Sequence, residues 1–193
     1  MPSALNLLPY DGQVTYHPNF VTDAALFEHL SSLASWQHDH HIIFGKKIIT
    51  QRKYIWMASH HLSYAYSGHL HHPTPWTPPI LALKDYIHHQ LGLTFNSCLL
   101  NYYANGHQYM GYHSDAESSL GHQPTIASIS LGAERDFCFK HQVTKQVVKL
   151  TLAHGSLLCM QGPTQHCWKH ALPKRMHVHT PRINLTFRKI VNQ

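Results

Sequence analysis

The chain has 193 residues, of which 43% are hydrophobic and 12% charged, with 15 Lys and Arg against nine Asp and Glu. This suits one folded domain with a sizeable core, excludes a disordered tail, and leaves no apolar run near the length of a membrane span. A formal charge of +6 with neutral histidines favours an anionic partner, nucleic acid first.

The start, Met1 to Leu8, lacks the basic residues and long apolar stretch of an export signal, so the chain is not expected to be secreted. Cys98, Cys138, Cys159 and Cys167 form no C-x-x-C pair, which argues against a cysteine zinc knuckle. Without export, they read as reduced thiols in a compartment of cytoplasmic type.

Thr22 is placed to cap a first helix running from Asp23 to about Ser35, with Leu26, Leu30 and Leu33 at helical spacing. Ile42-Ile43 and Ile48-Ile49 flank a Phe44-Gly45-Lys46-Lys47 tip and predict a hairpin. An apolar ring beside two lysines suits a wedge entering a base stack, while a core position for Phe44 is the plainer alternative. From Arg52 to Ser67, Tyr54, Trp56, Tyr64 and Tyr66 interleave with basic residues, as core aromatics or as a stacking surface. A Pro-rich connection follows. Thr77, Pro78 and Gly92 then bracket a second helix whose buried stripe is Ile80, Leu83, Ile87 and Leu91, with His88 and His89 at the surface.

From Phe95 the pattern changes to short alternating segments, at 96–103, 125–131, 136–141, 146–152, 156–160 and 182–190. Strands of this length separated by turns, after two helices, predict an α+β fold with a jelly-roll-like core braced on one side. No internal repeat or domain boundary interrupts residues 1–193.

His113 and Asp115 lie two apart, so on an extended segment both point to one face. With one more histidine they make a two-His, one-carboxylate set that leaves open positions on a metal. In a chain of 21 histidines that spacing alone is weak, and both His170 and His166 qualify as the third ligand. The last strand says more. Arg182, Asn184, Thr186 and Arg188 alternate with Ile183, Leu185 and Phe187. Two arginines on one strand face, roughly 20 Å apart, suit opposite ends of a small diacid. Asn101 and Tyr103 alternate likewise on an earlier strand and can hydrogen-bond a carboxylate or keto oxygen.

Taken together, Asn101-Tyr102-Tyr103, Met110 to Asp115, Trp168-Lys169-His170 and Arg182 to Arg188 resemble, in order and separation, the AlkB family of Fe(II)- and 2-oxoglutarate-dependent dioxygenases. Phe44-Gly45-Lys46 and Tyr64-Ala65-Tyr66 make the resemblance closest to the branch that repairs alkylated double-stranded DNA. The resemblance implies a double-stranded β-helix core at about 95–190 and a wedge hairpin and base-recognition lid at about 40–70. It implies Fe(II) on His113, Asp115 and His170, and O2 as co-reactant. Arg182 would take the far carboxylate of 2-oxoglutarate and Arg188 the end near the metal, with Asn101, Tyr103, Asn184 and Thr186 lining that site. Phe44, with Gly45 and Lys46, would be the wedge. Tyr66 and the His113 ring would sandwich a flipped base, with Tyr64 and Ala65 nearby. The implied reaction hydroxylates the N-methyl carbon of 1-methyladenine or 3-methylcytosine type lesions, releasing formaldehyde, succinate and CO2. An acid expected after the iron aspartate is Ala116 here, while Glu117 remains, which leaves base preference open. A monomer acting on DNA is expected, cytoplasmic in a bacterium or nuclear in a eukaryote, with no membrane. The competing readings are an AlkB-like oxygenase acting on RNA or protein, and a non-catalytic nucleic-acid-binding module.

Overall fold

Period-two patterns dominate the chain, and strands dominate the computed structural model, which describes residues 5–43, 46–59, 62, 64–66, 69–71 and 73–191. The strands are β1 (Gln13–His17), β2 (Gln37–Ile43), β3 (Lys46–Ala58), β4 (Tyr64–Tyr66), β5 (His69–His71), β6 (Ser97–Tyr103), β7 (Met110–His113), β8 (Ile126–Gly132), β9 (Arg135–His141), β10 (Val147–Leu152), β11 (Ser156–Gln161), β12 (Trp168–Leu172) and β13 (Arg182–Arg188). The helices are α1 (Leu26–Ser31), α2 (Pro78–Leu91) and α3 (Thr164–Cys167). Among the described residues, no helix is long and apolar enough to cross a membrane.

Two sheets carry the architecture. A seven-stranded sheet runs β1-β11-β8-β13-β6-β3-β2, and a four-stranded sheet runs β10-β9-β12-β7. Strands adjacent in space are often distant in sequence, as in a jelly roll. One core joins the larger sheet to the helices, through Leu30, Ile80, Leu83 and Ile87 against Ile55, Leu100, Ile129, Leu185 and Phe187. The other includes Ile126, Leu158, Met160, Phe137, Phe139, Trp168 and Leu172 from both sheets. The larger sheet is therefore covered on both faces. This explains why Ile126–Leu131 is buried at every position, Ser128 and Ser130 included.

The second helix starts and stops as expected, with Gly92 in the left-handed region at φ 70. Thr77 sits at its cap without a side-chain hydrogen bond. Pro78 and Pro79 have no N–H to offer, and the Ile80 N–H goes to the Thr77 carbonyl at 3.1 Å. The first helix is shorter than its periodicity suggests. It spans only Leu26–Ser31, after an uncapped Ala25, and Thr22 lies outside it. Two buried leucines, Leu26 and Leu30, anchor it, and an isolated helix this short lacks the length to persist by propensity.

The expected hairpin at 42–49 forms between β2 and β3, with Ile43 opposite Lys46. Lys46 and Lys47 belong to β3 and not to the tip, because pairing with Ile43 and Ile42 continues the ladder. Phe44 and Gly45 lie outside the described residues. Tyr64, Ala65 and Tyr66 form β4, paired with β5.

Phe187 is fully buried between the larger sheet and Phe95, with ring centroids 6.0 Å apart. Phe187→Ala is expected to cost about 3–5 kcal/mol and lower Tm by roughly 6–20 °C in a thermal melt. Val143→Ala, at a position 81% exposed, should leave Tm unchanged.

Candidate active site

The inward face of the larger sheet is set by strand register. Arg182 lies opposite Tyr103, Asn184 opposite Asn101, and Thr186 opposite Leu99. On the other side of β13, Asn184 and Thr186 face Ser130 and Ser128. Beyond β6, Tyr54 and Trp56 of β3 continue the same rows, opposite Asn101 and Leu99. Alternation on each strand sends these side chains to one face, where all of them but Ser130 line a cavity of about 260 Å³. The arginine strand is thus a cavity wall, and both of its faces are covered.

The facing wall comes from the smaller sheet. His170 of β12 pairs in register with His113 of β7, and the rings approach edge to face at 4.3 Å. Asp115 lies two residues past the end of β7. His113, Asp115 and His170 each offer one ligand atom, all within 4.8 Å of one another. The exposed His166 sits on α3 instead, stacked on His122 at 5.4 Å. Of the two candidates for third ligand, the fold brings His170 to the pair.

Each of the three side chains is held. The Nδ1 of His113 faces the Gly111 carbonyl at 2.8 Å, which places the proton there and leaves Nε2 free for a metal. Phe137 stacks on His170 at 5.4 Å and 22°. The Asp115 N–H donates to Gln165 Oε1 at 2.9 Å, and Arg188 donates to its Oδ1 at 2.8 Å. Burial alone would raise the Asp115 carboxyl, but Arg188, His170 and His113 outweigh it and hold it below its ordinary value. Burial pushes His170 down to about 3, against the attraction of Asp115, so its imidazole is neutral, as a ligand must be.

At the opposite end, Arg182 is 2% exposed. It donates to Ser130 Oγ at 2.9 Å and lies over the Tyr103 ring at 5.6 Å. Burial lowers it to about 10, so it remains charged at neutral pH. Among the described residues no carboxylate pairs with it, and its buried Nε has no hydrogen-bond partner. A buried cation left this way suits an anionic ligand. Glu117 also lines the cavity, with a buried and unpartnered Oε2, whereas Ala116 is exposed.

Several residues that line the cavity or bond to its lining escape sequence reading. Arg52 is buried on β3 and donates to Asn101 Oδ1. Gln165 reaches Asp115 from α3. Neither carries a local signal, because each acts through a segment far away in sequence. Ser128 and Ser130 do carry one, as alternating hydroxyls in an apolar strand. The side chains of Lys46, Tyr64, Ala65 and Tyr66 lie outside the described residues, as do Phe44 and Gly45.

Two nitrogens and one carboxylate oxygen, with room beside them, form an Fe(II)-type facial set. The buried, unpartnered Nδ1 of His170 and Nε of Arg182 leave polar demand at both ends of the cavity, so the residues present fit a divalent metal and a small diacid together. A family model described as the 2OG-Fe(II) oxygenase superfamily matches residues 13–188. Human DNA oxidative demethylase ALKBH2 is 42% identical over 157 residues, covering 77% of this chain and 60% of that protein. Bovine alpha-ketoglutarate-dependent dioxygenase alkB homolog 3 is 43% identical over 139 residues, covering 67% of this chain and 49% of that protein. Arabidopsis thaliana ALKBH2 is 34% identical over 192 residues, covering 86% and 61%. A solved structure, that of OsALKBH1, has a TM-score of 0.65 at 17% identity and covers 91% of this chain and 97% of its own, a likeness of fold. The chain belongs to the 2OG-Fe(II) oxygenase superfamily and, within it, to the AlkB family. It spans 56–66% of the length of the mammalian ALKBH2 relatives it matches.

The unfolded chain takes up the His170 proton near pH 6.5 and the folded metal-free chain only near pH 3. Stability therefore falls as pH drops through that window. In thermal melts of metal-free protein from about pH 7.5 to about pH 5, wild type should lose Tm relative to His170→Asn. A gap independent of pH would contradict the neutral buried imidazole.

Proposed function

We propose that this chain is an Fe(II)- and 2-oxoglutarate-dependent dioxygenase that removes N-alkyl groups from DNA bases, of the 1-methyladenine and 3-methylcytosine type. One observation carries this reading: three metal-ligating groups within 4.8 Å of one another share a cavity with the arginine face of β13. The names of the relatives, DNA oxidative demethylase ALKBH2 among them, supply the substrate class. Residues 1–193 are read as one such domain, acting as a monomer.

His113, Asp115 and His170 would hold iron, which with 2-oxoglutarate and O2 supplies the oxidising power to hydroxylate an N-alkyl carbon. This chain's own side chains do the rest. Arg182 takes the far carboxylate of the cosubstrate, helped by Ser130, which already engages its guanidinium. Arg188 serves the end near the metal and keeps Asp115 ionised through their 2.8 Å contact. Asn101, Tyr103, Asn184 and Thr186 orient the diacid between them. Phe137 holds His170 in place by stacking, and the apolar lining of Leu99, Met110, Leu120 and Leu172 limits water around the reacting carbon. The hydroxymethyl product then loses formaldehyde and restores the base.

The target atom is inaccessible inside a duplex, so the base leaves the stack. Phe44, with Gly45 and Lys46, is read as the wedge that fills the gap. Tyr66 and His113 sandwich the base, with Tyr64, Ala65 and Glu117 around it. A wedge offsets an unstacking cost on the order of a few kcal/mol per step, which exists only in paired DNA.

The deciding assay is release of succinate and formaldehyde on methylated oligonucleotides, paired and unpaired, with a methylated RNA as comparison. Release that requires methylated DNA is expected; turnover on RNA alone would assign the other substrate class. In calorimetric titration, Arg182→Ala should weaken 2-oxoglutarate binding by roughly tenfold or more, the scale of one charge-assisted hydrogen bond. Unchanged affinity would move the diacid elsewhere. Phe44→Ala should reduce turnover on paired DNA and spare the same lesion in a single strand. Equal loss on both, together with a lowered Tm, would make Phe44 a core residue.

A further inference from the structure

Away from the cavity, a second group of metal-ligating side chains meets where the start of the chain crosses the smaller sheet. Asp11, His141 and Cys167 each present one ligand atom, all within 4.8 Å of one another. We propose that these three residues form a zinc site that pins the N-terminal segment to the sheet carrying His170.

Three independent ties assemble the group. Sheet register sets Trp168 opposite His141, and the Gln142 N–H donates to the Cys167 carbonyl at 2.8 Å. These bring the thiol to the imidazole. The Trp168 indole donates to the Tyr10 carbonyl at 3.1 Å, which delivers Asp11. The imidazole is preorganised. Tyr10 and Trp168 meet its ring edge to face at 5.1 and 4.9 Å. Its Nε2 lies 3.4 Å from Asp11 Oδ2. His141 is buried, whereas the Asp11 side chain is 58% exposed, which leaves an ion a way in.

The donor set selects the metal. A thiolate, a neutral imidazole and a carboxylate carry two negative charges and match Zn2+, with water for the fourth position. Sulfur and nitrogen together disfavour Mg2+ and Ca2+. The cavity triad has no sulfur, so the two sites differ in kind.

Uptake rearranges one ring proton and costs one backbone contact. Without metal, the Thr144 N–H donates to His141 Nδ1 at 3.1 Å, so the ring proton sits on Nε2 and faces Asp11. Binding moves that proton to Nδ1, where Thr144 Oγ1, also 3.1 Å away, accepts it in place of the backbone contact. The Cys167 thiol gives its proton to solvent. One proton is therefore released per metal, and no redox change is involved.

Co2+ is the probe, because a thiolate ligand gives it an intense charge-transfer band in the near ultraviolet and the cavity triad cannot. Wild-type chain titrated with Co2+ should show this band, release one proton as it grows, and lose it when Zn2+ is added. Zn2+ should also raise Tm. Cys167→Ser should abolish the band while retaining metal binding at the cavity. Asp11→Asn, at an exposed position, should weaken the sulfur-containing site by at least the roughly tenfold that loss of an outer-shell partner costs. Three results would each overturn the assignment: no band in wild type, a band retained in Cys167→Ser through another cysteine, or unchanged affinity in Asp11→Asn.

Discussion

The contact between Arg188 and Asp115 is the constraint on which the site depends. Asp115 is 4% exposed and has lost nearly all its water. It stays ionised because Arg188 reaches it at 2.8 Å. One partner stands on β13 of the seven-stranded sheet, and the other follows β7 of the four-stranded sheet. The pair therefore spans the sandwich. A buried ion pair adds little net stability, because desolvation offsets its attraction, but removing one partner strands a charge. Its value is registry: it sets where His113, Asp115 and His170 stand relative to the arginine wall.

Around this pair the cavity is divided by charge and polarity. Cations and amides line the wall built from β6 and β13, and imidazoles and aromatic rings line the wall built from β7, β9 and β12. Arg182 has a hydroxyl and an aromatic face for company, and Asp115 has two imidazoles and a guanidinium. Each end thus favours a ligand of opposite sign, and the low-polarity lining between them strengthens both preferences. Another buried cation, Arg135, does different work. It donates to the carbonyls of Asn105, Gln108 and Pro173. It thereby ties the loop before β7 to the loop after β12, the two segments next to the strands that carry His113 and His170.

The sequence by itself determined the properties that repeat along a strand or a helix. The face shared by Arg182, Asn184, Thr186 and Arg188 follows from period-two geometry, which any extended backbone imposes. Ile80, Leu83 and Ile87 follow in the same way from helical spacing, and Pro78 and Gly92 mark the ends of that helix because their backbone preferences suit those positions. Local chemistry was enough for these features. Tertiary structure decided whatever depends on pairing between distant segments. Spacing alone leaves His170 and His166 both open, and the register of β12 against β7 brings His170 to His113. Arg52, Gln165 and Ser130 join the site across 49, 50 and 52 positions, through hydrogen bonds to Asn101, Asp115 and Arg182. The first helix ends early because two buried leucines, and not its longer periodic pattern, anchor it. Lys46 and Lys47 enter β3 because β2 pairs with them. Periodicity is a property of one segment and can be read from it, whereas register is a free-energy difference between segments and exists only when they meet.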